Sequence, residues 1–407
     1  MREGWRTVRL GDLFEADNRR VGLVPHEPPV FSLSKHKGLV LASDYFDGRV
    51  ASADLRQYKV VPPGGWAYST IHIDEGSIAR NAGQFMGAIS PMYTTLRWRS
   101  ADDDPGFFAL LLRTPTVLAE YRARAQGTVN RRRSLLFAAF AAITLEVPPP
   151  SAQRRIVHLM GSLDAAGLRV AEAIASFKRG RRAVLLSLLD ALDAPAAPLR
   201  GVLSHLIGGA WGDSPGDNEV DVNALGLRAF GDDDTTVTAQ FTTPRSLSRD
   251  RFADRAVRRG DIILERSGGA DERPVGRVLV AEEDLDRVVP TDFMRLLRVD
   301  DSRAIPRFVF WWLWARYQRG DTAAFQTKTT NIRNLRVGDY LQLPLVVPSL
   351  DAQTQVVGVA EAFSQCIRAA QREEDLIRRA RSALLAALVS GEREIPESYD
   401  RILDGAA

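Results

Sequence analysis

Val147-Pro148-Pro149-Pro150-Ser151-Ala152-Gln153 returns 200 residues later as Val347-Pro348-Ser349-Leu350-Asp351-Ala352-Gln353. The stretch behind it returns too. Ala183-Val184-Leu185-Leu186-Ser187-Leu188-Leu189 has its counterpart, in the same register, in Ala383-Leu384-Leu385-Ala386-Ala387-Leu388-Val389. Solenoid units run to roughly 20–50 residues, so a period this long is a whole domain duplicated together with its connector. Such a chain presents two similar surfaces and suits a partner with two-fold symmetry.

Behind the first joint, apolar residues recur at Ile156, Met160, Leu163, Val170, Ile174, Phe177, Val184 and Leu188, with Gly167 and Arg181 completing the series. The steps alternate four and three, the spacing of a coiled-coil seam. Adding 200 gives Val356, Ala360, Phe363, Ile367, Ala370, Glu374, Ile377, Arg381, Leu384 and Leu388. Arg181 and Arg381 read as an interruption at the same place in both seams. A helix from residue 151 to about 191 is a rod of roughly 60 Å. Neither stripe can be buried by its own helix, so the two are expected to pair. A globular segment lies between them, which favours an antiparallel pair. The alternative is two separate amphipathic helices, each packed on its own domain.

The segments ahead of the joints are mixed and turn-rich. Short β-like runs, Val30-Phe31-Ser32-Leu33 and Met92-Tyr93-Thr94-Thr95-Leu96 in the first half, Asp261-Ile262-Ile263-Leu264-Glu265 and Arg277-Val278-Leu279-Val280-Ala281 in the second, sit among Gly and Pro. Each half also holds one helical stretch, 107–125 and 306–318. The expected fold class is α+β: two globular domains related by an internal repeat, 1–147 and 196–346, separated by two long helices in 148–195 and 347–392 that form an antiparallel coiled coil. A tail, 393–407, follows.

At 407 residues the chain has material for two or three domains. A net charge of +3 is too small to mark a nucleic-acid surface, which must then come from local clustering. The single cysteine, Cys366, excludes an internal disulfide and suits a reducing compartment. The opening Met1-Arg2-Glu3-Gly4-Trp5-Arg6 lacks the apolar core of a signal peptide. The most apolar run, 308–315, is far shorter than the roughly 20 residues of a membrane span. The reading is a cytoplasmic protein with no membrane association.

Catalytic motifs are missing from the sequence: no phosphate loop, no Gly-x-Gly-x-x-Gly behind a strand, no Gly-x-Ser-x-Gly elbow. Five scattered histidines and one cysteine offer no zinc spacing. The runs Asp102-Asp103-Asp104 and Asp232-Asp233-Asp234 read as solvated loops. The expectation is a non-enzyme with no metal and no cofactor of its own.

Polar and basic clusters are more telling. Gln126-Gly127-Thr128-Val129-Asn130-Arg131-Arg132-Arg133 has a counterpart in Gln326-Thr327-Lys328-Thr329-Thr330-Asn331-Ile332-Arg333-Asn334. Arg, Asn, Gln and Thr are the side chains that read base edges and hold phosphates. Solvated turns whose Asn and Thr cap the next element are the other reading. Arg266-Ser267-Gly268-Gly269 is a second such loop, and Lys35, Lys37, Arg80 and Asn81 are further candidates beside a plain-surface reading. Lys178-Arg179-Gly180-Arg181-Arg182 reads as a solvated helix face. The aromatic run 308–314 reads as core rather than a stacking platform.

With these segments in place, the chain resembles the DNA-specificity subunit of type I restriction-modification systems. Trp5-Arg6-Thr7-Val8-Arg9-Leu10-Gly11-Asp12-Leu13-Phe14 is similar to the opening of a target-recognition domain. Gly65-Trp66-Ala67-Tyr68 and Gly87-Ala88-Ile89-Ser90-Pro91-Met92-Tyr93 resemble one subtype of that domain. Gly260-Asp261-Ile262-Ile263-Leu264-Glu265-Arg266-Ser267-Gly268 with Val275-Gly276-Arg277 resembles another. The joint looks like the family's proline-rich entry to its spacer helices, with Ala152 and Ala352 where Glu is common. Residues 198–212 echo the N-terminal opening only faintly.

The resemblance implies that 1–147 and 196–346 are target-recognition domains, each reading one half of a split, asymmetric double-stranded DNA target. The helices would fix the gap between the halves. It also implies two adenine-methyltransferase subunits, which use S-adenosylmethionine and flip the target base, and a restriction/translocase subunit using ATP and Mg. Arg131, Arg132 and Arg133 would then contribute phosphate contacts. Two other functions stay open: a recognition subunit of another DNA-modification or phage-defence complex, and a protein-interaction scaffold that binds no DNA.

Overall fold

Each proline-rich joint is tied down by its glutamine. Gln153 is buried; its Nε2 donates to the Pro148 carbonyl at 3.0 Å, and its Oε1 accepts from the Asp104 amide at 2.9 Å. Gln353 does the same, donating to the Pro348 carbonyl at 2.9 Å and accepting from the Ile305 amide at 2.8 Å. In both halves the side chain clamps the start of a long helix to the start of a shorter one, and it satisfies an amide that a helix N-terminus leaves unpaired. The computed structural model describes residues 4–24, 26–44, 52, 54–127, 133–231, 235–268, 273–329 and 332–405. These fall into two compact units, one of Met1–Arg169 with Glu374–Ala407, the other of Val170–Glu373.

The strands of the first unit are β1 (Arg6–Arg9), β2 (Phe14–Ala16), β3 (Phe31–Ser34), β4 (Gly38–Leu41), β5 (Lys59–Val61), β6 (Trp66–Ser69), β7 (Ile78–Arg80), β8 (Gly87–Ile89), β9 (Tyr93–Trp98) and β10 (Thr144–Val147). Its main sheet is antiparallel in the order β2-β9-β6-β7, with β6 buried throughout. Phe14 sits edge-on to Trp66, Trp98 and Phe140 at 5.0–5.7 Å. The β1–β10 ribbon leads into the first long helix, and the β3–β4 and β5–β8 pairs form a smaller apolar layer around Phe31, Leu33 and Ile89. The single helical stretch expected over 107–125 is two helices, Pro105–Leu111 and Pro115–Arg124. Pro115 disfavours helical geometry at Thr114 and opens a new first turn there.

In the second unit the strands are β11 (Ala196–Pro198), β12 (Leu203–Gly208), β13 (Val220–Leu225), β14 (Thr242–Leu247), β15 (Ile262–Glu265), β16 (Ser267–Gly268), β17 (Val278–Val280), β18 (Val288–Pro290), β19 (Met294–Val299), β20 (Gln326–Thr329), β21 (Ile332–Leu335) and β22 (Pro344–Val346). The sheet β12-β19-β15-β17 repeats the topology of β2-β9-β6-β7, and β11–β22 repeats β1–β10. Residues 198–212 thus do structurally what the N-terminal opening does. The additions differ: here they are the sheets β14-β13-β18 and β16-β21-β20. The aromatic helix Pro306–Arg319 is buried from Phe308 to Ala315, as core.

The two long helices run unbroken over Pro150–Asp190 and Leu350–Val389 and pack together antiparallel. In the first unit Ile156 and Met160 share a core with Leu388, with Leu163 and Leu384 against it, and Asp164 accepts from Arg381 Nη2 at 3.0 Å. In the second, Ile174 and Ile367 meet Val170 and Phe177, while Val356 joins the domain core. Phe363, Ile377 and Leu188 are half-buried. Each fully buried side chain of this size contributes about 1.5–3 kcal/mol.

The seam departs from expectation at one place. Val184 is 36% exposed, and its neighbour Leu185 is fully buried. Phe177, Arg181 and Leu185 make two four-residue steps in succession, which shifts the stripe onto the next face of the helix. Arg181 is no interruption and lies on no solvated face. It is 2% exposed, its guanidinium 4.9 Å from the Trp314 ring and 5.4 Å from that of Trp311.

Asp103 and Asp104 are not a solvated loop either; Asp232, Asp233 and Asp234 lie outside the described residues. Asp104 caps the Gly106 amide at 2.7 Å. Asp103 is buried and accepts from Gln153, Arg6 and Ser100. Burial alone would raise its pKa, but these hydrogen bonds outweigh it and hold the carboxyl below its usual value. Because the folded value lies below the unfolded one, the contribution is complete above about pH 4 and is lost as pH falls through the folded value. Asp103→Asn should cost about 1–3 kcal/mol at pH 7. Urea midpoints of variant and parent should converge at acid pH; a gap that persists there would contradict the charged role.

Candidate nucleic-acid interface

In both units one end of the four-stranded sheet gathers three loops. In the first unit it is the end where β6 leaves and β9 enters, marked by the pair Ser69 and Tyr93. The turn after β6 is tied to Leu135, whose amide lies 2.8 Å from the Thr70 carbonyl. In the second unit the matching end is marked by Glu265 and Met294. There the Leu335 amide donates to the Arg266 carbonyl, also at 2.8 Å.

Sequence candidates in the second unit converge on this end. β16 pairs Ser267 with Asn334 and Gly268 with Arg333; β20 pairs Lys328 with Arg333 and Thr329 with Ile332. Lys328, Thr329, Arg333 and Asn334 therefore share one small sheet, and Arg266 immediately precedes its strand β16. Lys328 is exposed and Arg333 half-buried. Ser267 is a correction: it is buried, and its hydroxyl donates to Asn334 Oδ1 at 2.6 Å, so it holds the hairpin rather than facing a ligand. Thr330 and Asn331 lie outside the described residues.

In the first unit Gln126 bridges to Ser134, and Arg133 Nη2 donates to the Ala125 carbonyl at 2.7 Å, closing the base of its loop. Thr128, Asn130, Arg131 and Arg132 lie outside the described residues. Lys35 and Lys37 sit in the β3–β4 turn, which Arg113 ties through the Lys35 carbonyl. Lys35 pairs with Glu75 at 3.1 Å, joining that turn to the one after β6. Arg80 and Asn81 are not brought here. Arg80 pairs with Trp66, at the opposite end of the sheet. Asn81 is buried and donates to the Val61 and Phe85 carbonyls at 3.0 Å each, a loop brace rather than a contact residue.

The sequence reading missed the cations that crowd this end. Lys59 Nζ donates to the Tyr93 carbonyl at 2.7 Å, and burial and the nearby Arg20 lower its pKa. Arg295 is likewise lowered by burial and by Arg266, with Asp292 opposing. Lys59 lies far in sequence from Arg20 and Tyr93, and Arg295 from Arg266, so within each unit only the strand pairing brings these groups together.

Among the described residues, no group of three His, Cys, Asp or Glu side chains could hold a metal ion, and no helix is long and apolar enough to cross a membrane. No family model matches the chain, and no curated protein does. Among solved structures it is similar to a chain from one described as "Structural basis underlying complex assembly and conformational transition of the type I R-M system", with a TM-score of 0.59 at 18% identity over 95% of this chain and 98% of that one. It is similar also to the type I restriction-modification system S subunit from M. genitalium, with a TM-score of 0.51 at 11% identity over 94% and 96%. At these identities the likeness is one of fold, and the fold of this chain is the repeated α+β architecture of that S subunit.

Proposed function

We propose that the chain is the DNA-recognition subunit of a type I restriction-modification complex, reading an asymmetric bipartite target and carrying no catalytic step of its own. One observation carries the reading: the same sheet end, on the same scaffold, gathers polar and cationic loops in both units, but with different residues and different accessory strands. A shared scaffold with unlike loops suits two half-sites of unlike sequence, since phosphate contacts position a protein while base contacts specify. The cations at each sheet end supply the charge that a duplex attracts. Two adenine-methyltransferase subunits would bring S-adenosylmethionine, and a restriction/translocase subunit ATP and Mg, in the cytoplasm. The long paired helices would serve as spacer and as the docking element for those partners. The test is to purify the chain with its partners and map methylated adenines in the host genome. A bipartite motif absent from a strain lacking the chain is expected. Co-purification without any sequence-selective methylation would favour a scaffold.

A further inference from the structure

At the loop-bearing end of each sheet an apolar side chain stands in solvent. Met92 is 72% exposed and Phe293 is 42% exposed. Both occupy the same place in the same turn. The Tyr93 amide donates to the Ser90 carbonyl at 3.1 Å, and the Met294 amide donates to the Thr291 carbonyl at 2.9 Å. In each case the next residue begins the strand that runs through the sheet centre.

The turn in the second unit is held firmly. The Phe293 carbonyl accepts from the Arg266 and Ser267 amides at 2.8 and 3.1 Å, and the Thr291 hydroxyl, buried, donates to the Leu225 carbonyl at 2.9 Å. A rigid backbone that presents an uncovered phenyl ring gains nothing for its own fold; exposed apolar area on a fixed turn marks a contact surface.

Charge says what that surface meets. Lys59 Nζ reaches the carbonyl of Tyr93, the residue after Met92, and Arg20 is bridged to Lys59. The Arg266 amide donates to the Phe293 carbonyl, and Arg295 follows two residues along the strand. In both units two cations stand close enough for one to lower the pKa of the other. Arg245 adds a third in the second unit, 4.3 Å over Trp211, whose amide donates to Asp292 Oδ1 at 3.2 Å. Held together against their own repulsion, such cations suit a polyanion. An apolar tip between cations that take the phosphates would meet the bases. The tips differ, Met in one unit and Phe in the other, where the turn itself is the same. A protein partner docking twice would call for one residue twice; two different base steps call for two.

Resting on the recognition function proposed above, we infer that Met92 and Phe293 are base-contacting tips, each pressing an apolar side chain against bases of its own half-site and so setting part of its sequence. Apolar side chains do this against thymine methyls or at an opened base step.

The test is methylome mapping of strains that carry the full chain with its co-purifying methyltransferase, comparing the parent with Met92→Ala and Phe293→Ala. Phe293→Ala should relax discrimination about tenfold or more at one or two positions of one half-site and leave the other half unchanged. Met92→Ala should relax the other half-site alone. Both variants should keep the parent's thermal unfolding midpoint and its methyltransferase. Unchanged motifs in both variants, with a bipartite motif in the parent, overturn the tips and leave the recognition function standing. Loss of the methyltransferase from either variant makes that tip a protein contact and overturns its role as well. A parent strain without any bipartite motif overturns both readings together.

Discussion

Arg277→Leu should destabilise the second unit by about 3–5 kcal/mol, because it strips the counter-charge from a carboxylate with no access to water. Glu265 is fully buried, and Arg277 takes both its oxygens, Nη2 to Oε1 at 2.7 Å and Nε to Oε2 at 2.9 Å. The third nitrogen donates to the Phe230 carbonyl, whose ring lies 5.3 Å from the guanidinium. Removing one partner of such a pair costs far more than removing both. The first unit shows what both look like when absent. The Glu265 amide donates to the Arg277 carbonyl at 2.8 Å, and at the matching place the Ser69 amide donates to the Ser77 carbonyl at 2.9 Å. The double change Glu265→Ser with Arg277→Ser should therefore recover most of the loss. Urea unfolding followed by tryptophan fluorescence reads both. A single variant within about 1 kcal/mol of the parent would mean that Glu265 does not depend on Arg277.

Trp311→Ala should cost about as much, roughly 3–5 kcal/mol, by opening a cavity in the core of the second unit. Its ring is fully buried and edge-on to Phe310 at 4.9 Å and to Trp314 at 5.5 Å. The indole Nε1 donates to Glu361 Oε1 at 3.2 Å, and the Arg181 guanidinium lies 5.4 Å away, so both long helices lean on this residue. Trp311→Phe keeps most of the packing and should lose about half as much. A double-mutant cycle with Arg181→Leu should show coupling of about 0.5–3 kcal/mol, as expected of residues in contact. Strict additivity would show that the helix and the aromatic core are independent.

Much of this fold was legible because it is written in periodicities. The seam positions around Ile156 and Met160, and their counterparts up to Leu388, recur at the three-and-four spacing of a helix with one apolar face, and the joint at Gln153 recurs at Gln353. Arg181 was illegible for a physical reason. A charged residue in a seam reads as a break, and the two indoles that accept it lie some 130 residues further along, beyond any local pattern. Asp103 was misread the same way, since its partners Arg6 and Gln153 are remote in sequence. The loops were found because Gln, Thr, Asn and Arg recur in both halves. Asn81 and Ser267 show the limit of that approach: a side chain able to read a base can equally brace a turn. Met92 and Phe293 carried no local mark at all, because an apolar residue at the mouth of a strand looks like the strand itself.

The division of the chain has a consequence for how it is made. The second unit is the continuous stretch Val170–Glu373, whereas the first draws on Met1–Arg169 and then on Glu374–Ala407. Its closing contacts come last: Asp400 takes Arg155 through two bonds of 2.8 Å, and Tyr399 meets His158 at 3.0 Å. On the ribosome, therefore, the half that begins first is finished last. Ile156 and Met160 have the core of residues 8–147 beside them early but wait for Leu384 and Leu388 while some two hundred further residues are added, which leaves one side of the early helix open to a chaperone during synthesis.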